Sequence, residues 1–184
     1  MNSTSTGPQA GPSGIALPVT SFSRGADRVI GWFGEIASAL WTVLVLVIVA
    51  QVVARYVFGV GSIAMEELQW HLYAIGFMLG LSFTEMRERN VRIDVLAESW
   101  RPRTRLWVEL FGITCLLLPF SGVIIFYAVP FFLVSLQLNE VSASAGGLPY
   151  RWFLKSFIVT AFVLLALAGV SRLTRVWVAL FGQR

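Results

Sequence analysis

Residues 36–54 read IASALWTVLVLVIVAQVVA, and these 19 residues contain no charged side chain. About 20 residues of α-helix are needed to cross the hydrocarbon core of a bilayer. Three further stretches without charge follow, at residues 68–84, 110–139 and 156–171. The sequence therefore predicts an all-α integral membrane protein with four transmembrane helices.

The overall composition agrees with this class. The 184 residues are 57% hydrophobic and only 13% charged, whereas about 25% of the residues of a soluble domain are charged. The stretch at 110–139 is too long for one perpendicular crossing, because 30 residues of helix span about 45 Å and the bilayer core about 30 Å. We expect this helix to tilt, to kink at Pro119 or Pro130, or to extend beyond the membrane.

The basic residues predict the topology. With the N-terminus inside, eleven of the 14 Lys and Arg residues fall on the cytoplasmic side, and only Arg55, Arg151 and Lys155 fall outside. This bias favours a multi-pass membrane protein with both termini in the cytoplasm. Because topology and anionic lipid explain the positive charge, we do not expect nucleic acid as a partner.

The predicted organisation is a tail followed by one membrane domain. Residues 1–26 are rich in Ser, Thr, Gly and Pro and are expected to be disordered. The membrane domain is expected over residues 27–181, with transmembrane helices at about 30–57, 62–86, 104–137 and 148–178.

A short interfacial helix is predicted at about residues 92–100, between helices two and three. Its apolar residues recur at helical spacing, and basic residues flank it, which is typical of a helix lying in the headgroup region. Its candidate residues are Arg92, Ile93, Asp94, Leu96 and Trp100.

The sequence contains no recognisable catalytic motif. The single histidine, His71, and the single cysteine, Cys115, are too few for a metal cluster or a bis-histidine haem. We therefore expect no enzyme activity, no cofactor and no metal site on this chain.

The acidic residues nearest the predicted outer surface are the main polar feature. Glu66 and Glu67 lie in the first turns of helix two, close to Arg55 across a short turn, and Glu140 follows helix three. Three hypotheses remain open: a network that holds helix ends together, a contact with a basic partner protein, and a carrier site for a proton or cation. The candidate outer charge network and partner interface comprises Arg55, Glu66, Glu67, His71, Glu140 and Arg151.

The middles of the four predicted helices contain no Asp, Glu, Lys, Arg or His. Ionisable groups at mid-depth are typical of membrane carriers, and a scaffold that serves a transporter fits this sequence better. Glu35 and Glu109, near the cytoplasmic face, could pair with arginines of this chain or of a partner.

Several short motifs follow one another along the chain: RYVF at 55–58, SIA at 62–64, EEL at 66–68, Gly80, VRID at 91–94, EVS at 140–142, GLP at 147–149 and Trp152. Their order and spacing resemble those of the small membrane subunit of TRAP (tripartite ATP-independent periplasmic) transporters, DctQ type. The resemblance covers roughly residues 27–178. Asn90 stands where many members have His, and Asn139 where a Gly is frequent.

This resemblance implies a small permease subunit of the bacterial inner membrane that takes part in sodium-coupled symport of an organic acid. Its expected partners are a large elevator-type membrane subunit, which would hold the sodium, a periplasmic substrate-binding protein and the lipid bilayer. The candidate periplasmic docking loop includes Ser142, Gly147, Leu148 and Pro149. Two alternatives are a self-sufficient four-helix carrier acting as a homodimer and a membrane anchor of a redox complex.

Overall fold

The computed structural model describes residues 18–87 and 101–182. Among these residues the regular structure is entirely helical, which confirms the predicted all-α class. The elements in chain order are α1 (Ser21–Phe58), α2 (Ile63–Met86), α3 (Pro102–Phe111), a π-helical segment (Gly112–Leu117), α4 (Leu118–Gln137) and α5 (Arg151–Phe181).

Helix α1 begins earlier than the sequence suggested. We expected a disordered tail to residue 26 and a span from about residue 30, whereas the helix starts at Ser21. The Thr20 side chain accepts from the Ser23 N–H at 3.1 Å, and the Ser23 hydroxyl accepts from the Thr20 N–H at 3.1 Å. This reciprocal capping box satisfies two of the backbone groups that a helix start leaves open. Thr20 also hydrogen-bonds Thr174 of α5 at 3.1 Å, which fixes the helix start against the rest of the fold.

A tight turn joins α1 to α2. Gly59 adopts a left-handed backbone with φ of 65° and ends α1 through its N–H bond to the carbonyl of Ala54. Glycine adopts this conformation without the steric penalty of a Cβ, so it is a favoured residue just after a helix. Because only four residues separate the helices, α2 returns alongside α1.

The third apolar stretch is a continuous helical run that changes its winding. Pro102 occupies the first turn of α3, where its missing N–H is harmless. Just before Pro119 the chain forms the π-helical segment, in which the Leu118 N–H bonds the Ile113 carbonyl five residues back. A proline inside a helix removes one hydrogen bond and clashes with the preceding turn. The wider turn next to Pro119 accommodates that defect, and the expected kink at Pro119 or Pro130 stays a prediction.

The hydrophobic core lies between α1, α2 and α5. It is formed by Ile30 and Ala37 from α1, Ile75 and Leu79 from α2, and Leu164 and Ala168 from α5. Helices α1 and α2 approach each other closely, since a Cβ on Gly34 of α1 would overlap the ring of Phe83 of α2. Helix α4 packs chiefly against α5 and leaves most of its circumference exposed.

Three helical runs within the described residues are long and apolar enough to cross a membrane: Ser21–Phe58, Pro102–Gln137 and Arg151–Phe181. Helix α2, with its 24 residues, is not among them. Its first turns carry Glu66, Glu67 and Gln69, and Glu85 lies near its end, which lowers its apolar character. The interfacial helix predicted at 92–100, with Arg92, Ile93, Asp94, Leu96 and Trp100, lies outside the described residues, as does the start of the predicted tail.

Candidate functional site

Two groups of charged side chains lie at opposite ends of the helix array. One lies where α2 and α5 begin, near the turn at 59–62 and the loop at 138–150, and this end is called the loop end. The other is built around Arg172, 17 residues further along α5 than Lys155. At a rise of about 1.5 Å per residue this separates them by about 25 Å.

At the loop end, Glu67 of α2 holds the long loop before α5. Its carboxylate accepts a hydrogen bond from the Ser142 hydroxyl and a second, of 2.7 Å, from the Leu148 N–H. Its own carbonyl oxygen lies 2.6 Å from His71 Nδ1, one turn further along α2. Hydrogen bonds to an ionised carboxylate are stronger than neutral ones. The Glu67 cluster, comprising Glu67, His71, Ser142 and Leu148, therefore ties the loop to α2.

The conformation of this loop depends on three residues with positive φ. Asn139 has φ of 46°, Gly146 of 80° and Tyr150 of 65°. Asparagine is enriched among non-glycine residues in the left-handed region, so Asn139 suits this position. Next to them, a Cβ on Gly147 would lie 2.8 Å from a carboxylate oxygen of Glu67. The loop packs against the acid closely enough to require glycine there.

Glu140, a further predicted acid of the loop end, binds partners different from those of Glu67. Its carboxylate forms an ion pair with Lys155 of α5 and accepts a 2.6 Å hydrogen bond from the Ser135 hydroxyl. The ammonium of Lys155 also lies 3.9 Å from the centre of the Phe131 ring, within the range of a cation–π contact. The hydrogen bond from Lys155 first, and then that from Ser135, hold the pKa of Glu140 below its usual value.

The remaining predicted residues of the loop end lie nearby and line two clefts. Arg151 lines a cleft of about 350 Å³ together with Glu66, Glu67 and His71. Arg55 lines a second cleft with Glu66. The described residues contain no ion pair between Arg55 and Glu66 or Glu67, so a pairing of these side chains across the turn is not seen there. Of the docking-loop candidates, Ser142 and Leu148 bind Glu67, and Pro149 lines an apolar groove with Trp152 and Phe153.

The second group, the Arg172 cluster, joins four elements and was not predicted. Arg172 of α5 is only 6% exposed and binds Glu109 of α3 and, at 3.5 Å, Glu85 of α2. One turn further on, Arg175 pairs with Asp27 of α1. The Ser171 hydroxyl donates to the same aspartate at 3.2 Å. The cluster comprises Asp27, Glu85, Glu109, Arg172 and Arg175.

The sequence contained one indication of the Arg172 cluster. Glu109 was recognised as an acid in need of an arginine, without a choice of partner, and the structure assigns it to Arg172. Arg172 and Arg175 were read as topology-determining surface charges, because a three-residue spacing on a helix does not reveal which acids of other helices face it. Glu35 remains on the exposed side of α1.

Residues 44–179 match the family described as tripartite ATP-independent periplasmic transporters, DctQ component. The chain belongs to the DctQ family. The match begins within α1 and runs almost to the end of α5, so it includes both charge groups except Asp27. Neither a curated protein nor a solved structure matches the chain.

Membership of the DctQ family makes the chain the small subunit of a TRAP transporter, a component of a transport system and not of an enzyme family. With its three candidate spans it is a membrane protein. Among the described residues, no group of three or more His, Cys, Asp or Glu side chains is arranged to hold a metal ion. Both charge groups consist of acids paired with bases or hydrogen-bond donors, an arrangement suited to holding helices and a loop in place.

Proposed function

We propose that this DctQ chain is the fixed scaffold of a TRAP transporter of the bacterial inner membrane. It supports a large elevator-type subunit and offers a docking surface to a periplasmic binding protein in sodium-coupled uptake of an organic acid. Sodium and solute bind to the large subunit. The family match over residues 44–179 carries this proposal.

In the proposed arrangement α2 is a fourth transmembrane helix. Its 24 residues span about 36 Å, which exceeds the bilayer core. The short turn after α1 and the shared core with α1 and α5 support a path through the same layer. Its acids lie near its two ends, where the membrane boundaries are expected.

Both termini are proposed to lie in the cytoplasm, on the side of the Arg172 cluster. That cluster brings together the start of α1, the end of α2 and the later part of α5. Arg24, Arg28 and Arg87 lie towards the same end. Such an excess of arginine is typical of the cytoplasmic side.

The scaffold role is supported by the distribution of polar and apolar groups. The ion pairs of the described residues lie in the two end groups, and none lies at the middle of the helices. Helix α4 exposes large apolar residues over most of its length, which lipid or a partner subunit would cover. Uptake therefore depends on the pathway of a second, larger membrane subunit.

The loop end is the proposed docking surface for the periplasmic binding protein. It exposes several large apolar side chains, including Phe58, Trp70, Leu138, Val141 and Tyr150, each more than half exposed. Contiguous exposed apolar surface is typical of a protein interaction site. The bonds of Glu67 to Ser142 and Leu148 would keep this surface in a fixed shape.

Co-purification tests the scaffold proposal. The tagged chain is extracted from native membranes in a mild detergent, and the proteins retained with it are identified by mass spectrometry. We expect a large multi-helix membrane subunit in stable association, and solute uptake in liposomes only when both subunits are reconstituted. A chain that emerges alone and transports solute by itself would overturn the proposal.

A further inference from the structure

Glu35 is an anion on the outside of the helix array. It lies on the exposed side of α1, opposite the buried side that carries Ile30 and Ala37. Within residues 18–87 and 101–182 no ion pair or hydrogen bond engages its carboxylate. The positions three and four residues away on the helix are Gly31, Trp32, Ser38 and Ala39, so no neighbouring turn supplies a cation.

The position of Glu35 along α1 makes this exposure significant. The 19 residues after it, 36–54, carry no charge and span about 28 Å, close to the thickness of the bilayer core. Glu35 therefore lies at the boundary of the apolar layer and points away from its own chain. A carboxylate at that depth is stabilised when a basic group meets it.

The surface around Glu35 is suited to a closely packed helix. We call it the Glu35 face, and it consists of small or hydroxylated residues at one-turn spacing. A Cβ on Gly31 would meet nothing within 4 Å, so the face is open there. The Ser38 hydroxyl donates to the Gly34 carbonyl at 3.0 Å and so needs no outside partner. Small and hydroxylated residues line helix–helix contacts in membranes because they allow backbones to approach. The face comprises Gly31, Glu35, Ser38, Ala39 and Thr42.

The opposite edge of the array carries no charged side chain. Helix α4 presents Val123, Phe126, Tyr127 and Val134, which are 54%, 73%, 69% and 54% exposed. No charged residue occurs anywhere from 110 to 139. Large apolar side chains without a charge are well accommodated by lipid acyl chains.

We infer that the Glu35 face of α1 docks a transmembrane helix of the large subunit, which places an arginine or lysine against Glu35. The outer face of α4 contacts lipid. This inference rests on the proposed scaffold function and adds to it the edge through which the chain binds its partner. The exposed carboxylate of Glu35, which no described residue pairs, and the open surface at Gly31 assign the interface to α1, whereas the charge-free α4 offers no such group.

Site-specific photo-crosslinking tests the assignment in the intact complex. A benzophenone amino acid replaces Ala39 on α1 in one variant and Phe126 on α4 in the matched control, and native membranes are irradiated. Position 39 is expected to give an adduct with the large subunit, and position 126 is expected to give lipid adducts alone. Lipid adducts alone from position 39, or a large-subunit adduct from position 126, would overturn the assignment of the face.

This design separates the two proposals. Large subunit that co-purifies with the chain but crosslinks through α4 overturns the α1 interface and leaves the scaffold function standing. Loss of the large subunit from the purified, unirradiated sample overturns both.

Charge substitution provides a second measurement. Glu35→Arg is expected to lower the amount of large subunit retained by about tenfold, because it sets like charges against each other at the contact. Glu35→Gln, which keeps the shape, is expected to lower it less. The melting temperature of the isolated chain should stay unchanged in both variants, since the described residues make no contact that depends on this carboxylate. Full retention of the large subunit by Glu35→Arg would contradict the inference.

Discussion

The two charge groups of this chain contain the same kinds of charged side chain but serve different purposes. In the Arg172 cluster the side chains of Arg172, Glu85 and Glu109 are only 7%, 12% and 16% exposed, and their pairs join α2, α3 and α5. At the loop end, Glu140 and Lys155 are 34% and 17% exposed, and Glu67 binds mainly a loop. Buried ion pairs tolerate the loss of one partner poorly, whereas exposed pairs contribute little. The comparison indicates that the Arg172 cluster holds the fold and that the loop end shapes a surface.

The largest effect is expected from removing the arginine at the centre of the buried cluster. Arg172→Met leaves Glu85 and Glu109 without that cation in a buried site, a change that destabilises by about 3–5 kcal/mol. Thermal unfolding of the detergent-purified chain measures it. Arg24→Met, on the exposed side of α1, is the control and should have little effect. Equal losses of stability in Arg172→Met and Arg24→Met would show that the cluster contributes no more to the fold than an ordinary surface charge.

A smaller global effect is expected from the packing next to this cluster. Gly34→Ala places a methyl group in the ring of Phe83, two residues from Glu85, and overpacking of this kind destabilises by about 1–3 kcal/mol. Gly25→Ala on the same helix meets no atom within 4 Å and serves as the control. A lower melting temperature for Gly25→Ala than for Gly34→Ala would show that α1 and α2 do not approach at Gly34.

At the loop end the expected change is local. Glu67→Gln removes the charge from the acceptor of the Ser142 hydroxyl and the Leu148 N–H, so the Leu148 amide should exchange with deuterium several-fold faster. The melting temperature should change little, because the loop opens without the helices separating. Glu66→Gln is the matched control, since Glu66 is the exposed neighbour. Faster exchange across α1, α2 and α5 in Glu67→Gln would instead assign this acid a role in the core.

The smallest expected effect is the response of Glu140 to acid. Because Lys155 and Ser135 lower its pKa below 4.5, the folded state favours the carboxylate more than the unfolded state does. Its contribution is therefore fully present above about pH 4.5 and is lost as the pH falls through the lowered pKa. The protection factors of residues 138–150, which are deuterium-exchange rates corrected for the intrinsic effect of pH, should fall more between pH 7 and 3 in the native chain than in Glu140→Gln. Identical pH profiles would contradict a stabilising role for this pair.

The stretches without charge were sufficient for the all-α fold class. Runs without charge located the helices, and the four-residue turn at Gly59 required α2 to run antiparallel to α1. The start of α1 was missed because Thr20 and Ser23 occur in a stretch whose composition is typical of disorder. Their capping role depends on two reciprocal hydrogen bonds and a contact with Thr174, which lies 154 positions away.

The charge groups show where prediction from sequence ends. At the loop end, Glu67 and His71 lie one helical turn apart on α2, and the Arg151 N–H donates to the Glu140 carbonyl oxygen. The partners of the Glu67 carboxylate were not predicted, because hydrogen bonds from Ser142 and the Leu148 backbone depend on the path of the loop. The Arg172 cluster depends on how four helices are rotated about their axes, which residue spacing within one helix does not reveal.

The π-helical segment at Gly112–Leu117 also bears on how the length of this chain can vary. A turn closed over five residues contains one residue more than an α-turn, so deletion of one residue there restores an ordinary helix without rotating either flank. Glu109 would still face Arg172, and α4 would still lie along α5. The segment is thus a point at which the longest apolar run tolerates a change of one residue, whereas the same deletion inside α2 or α5 would turn every following side chain by about 100°.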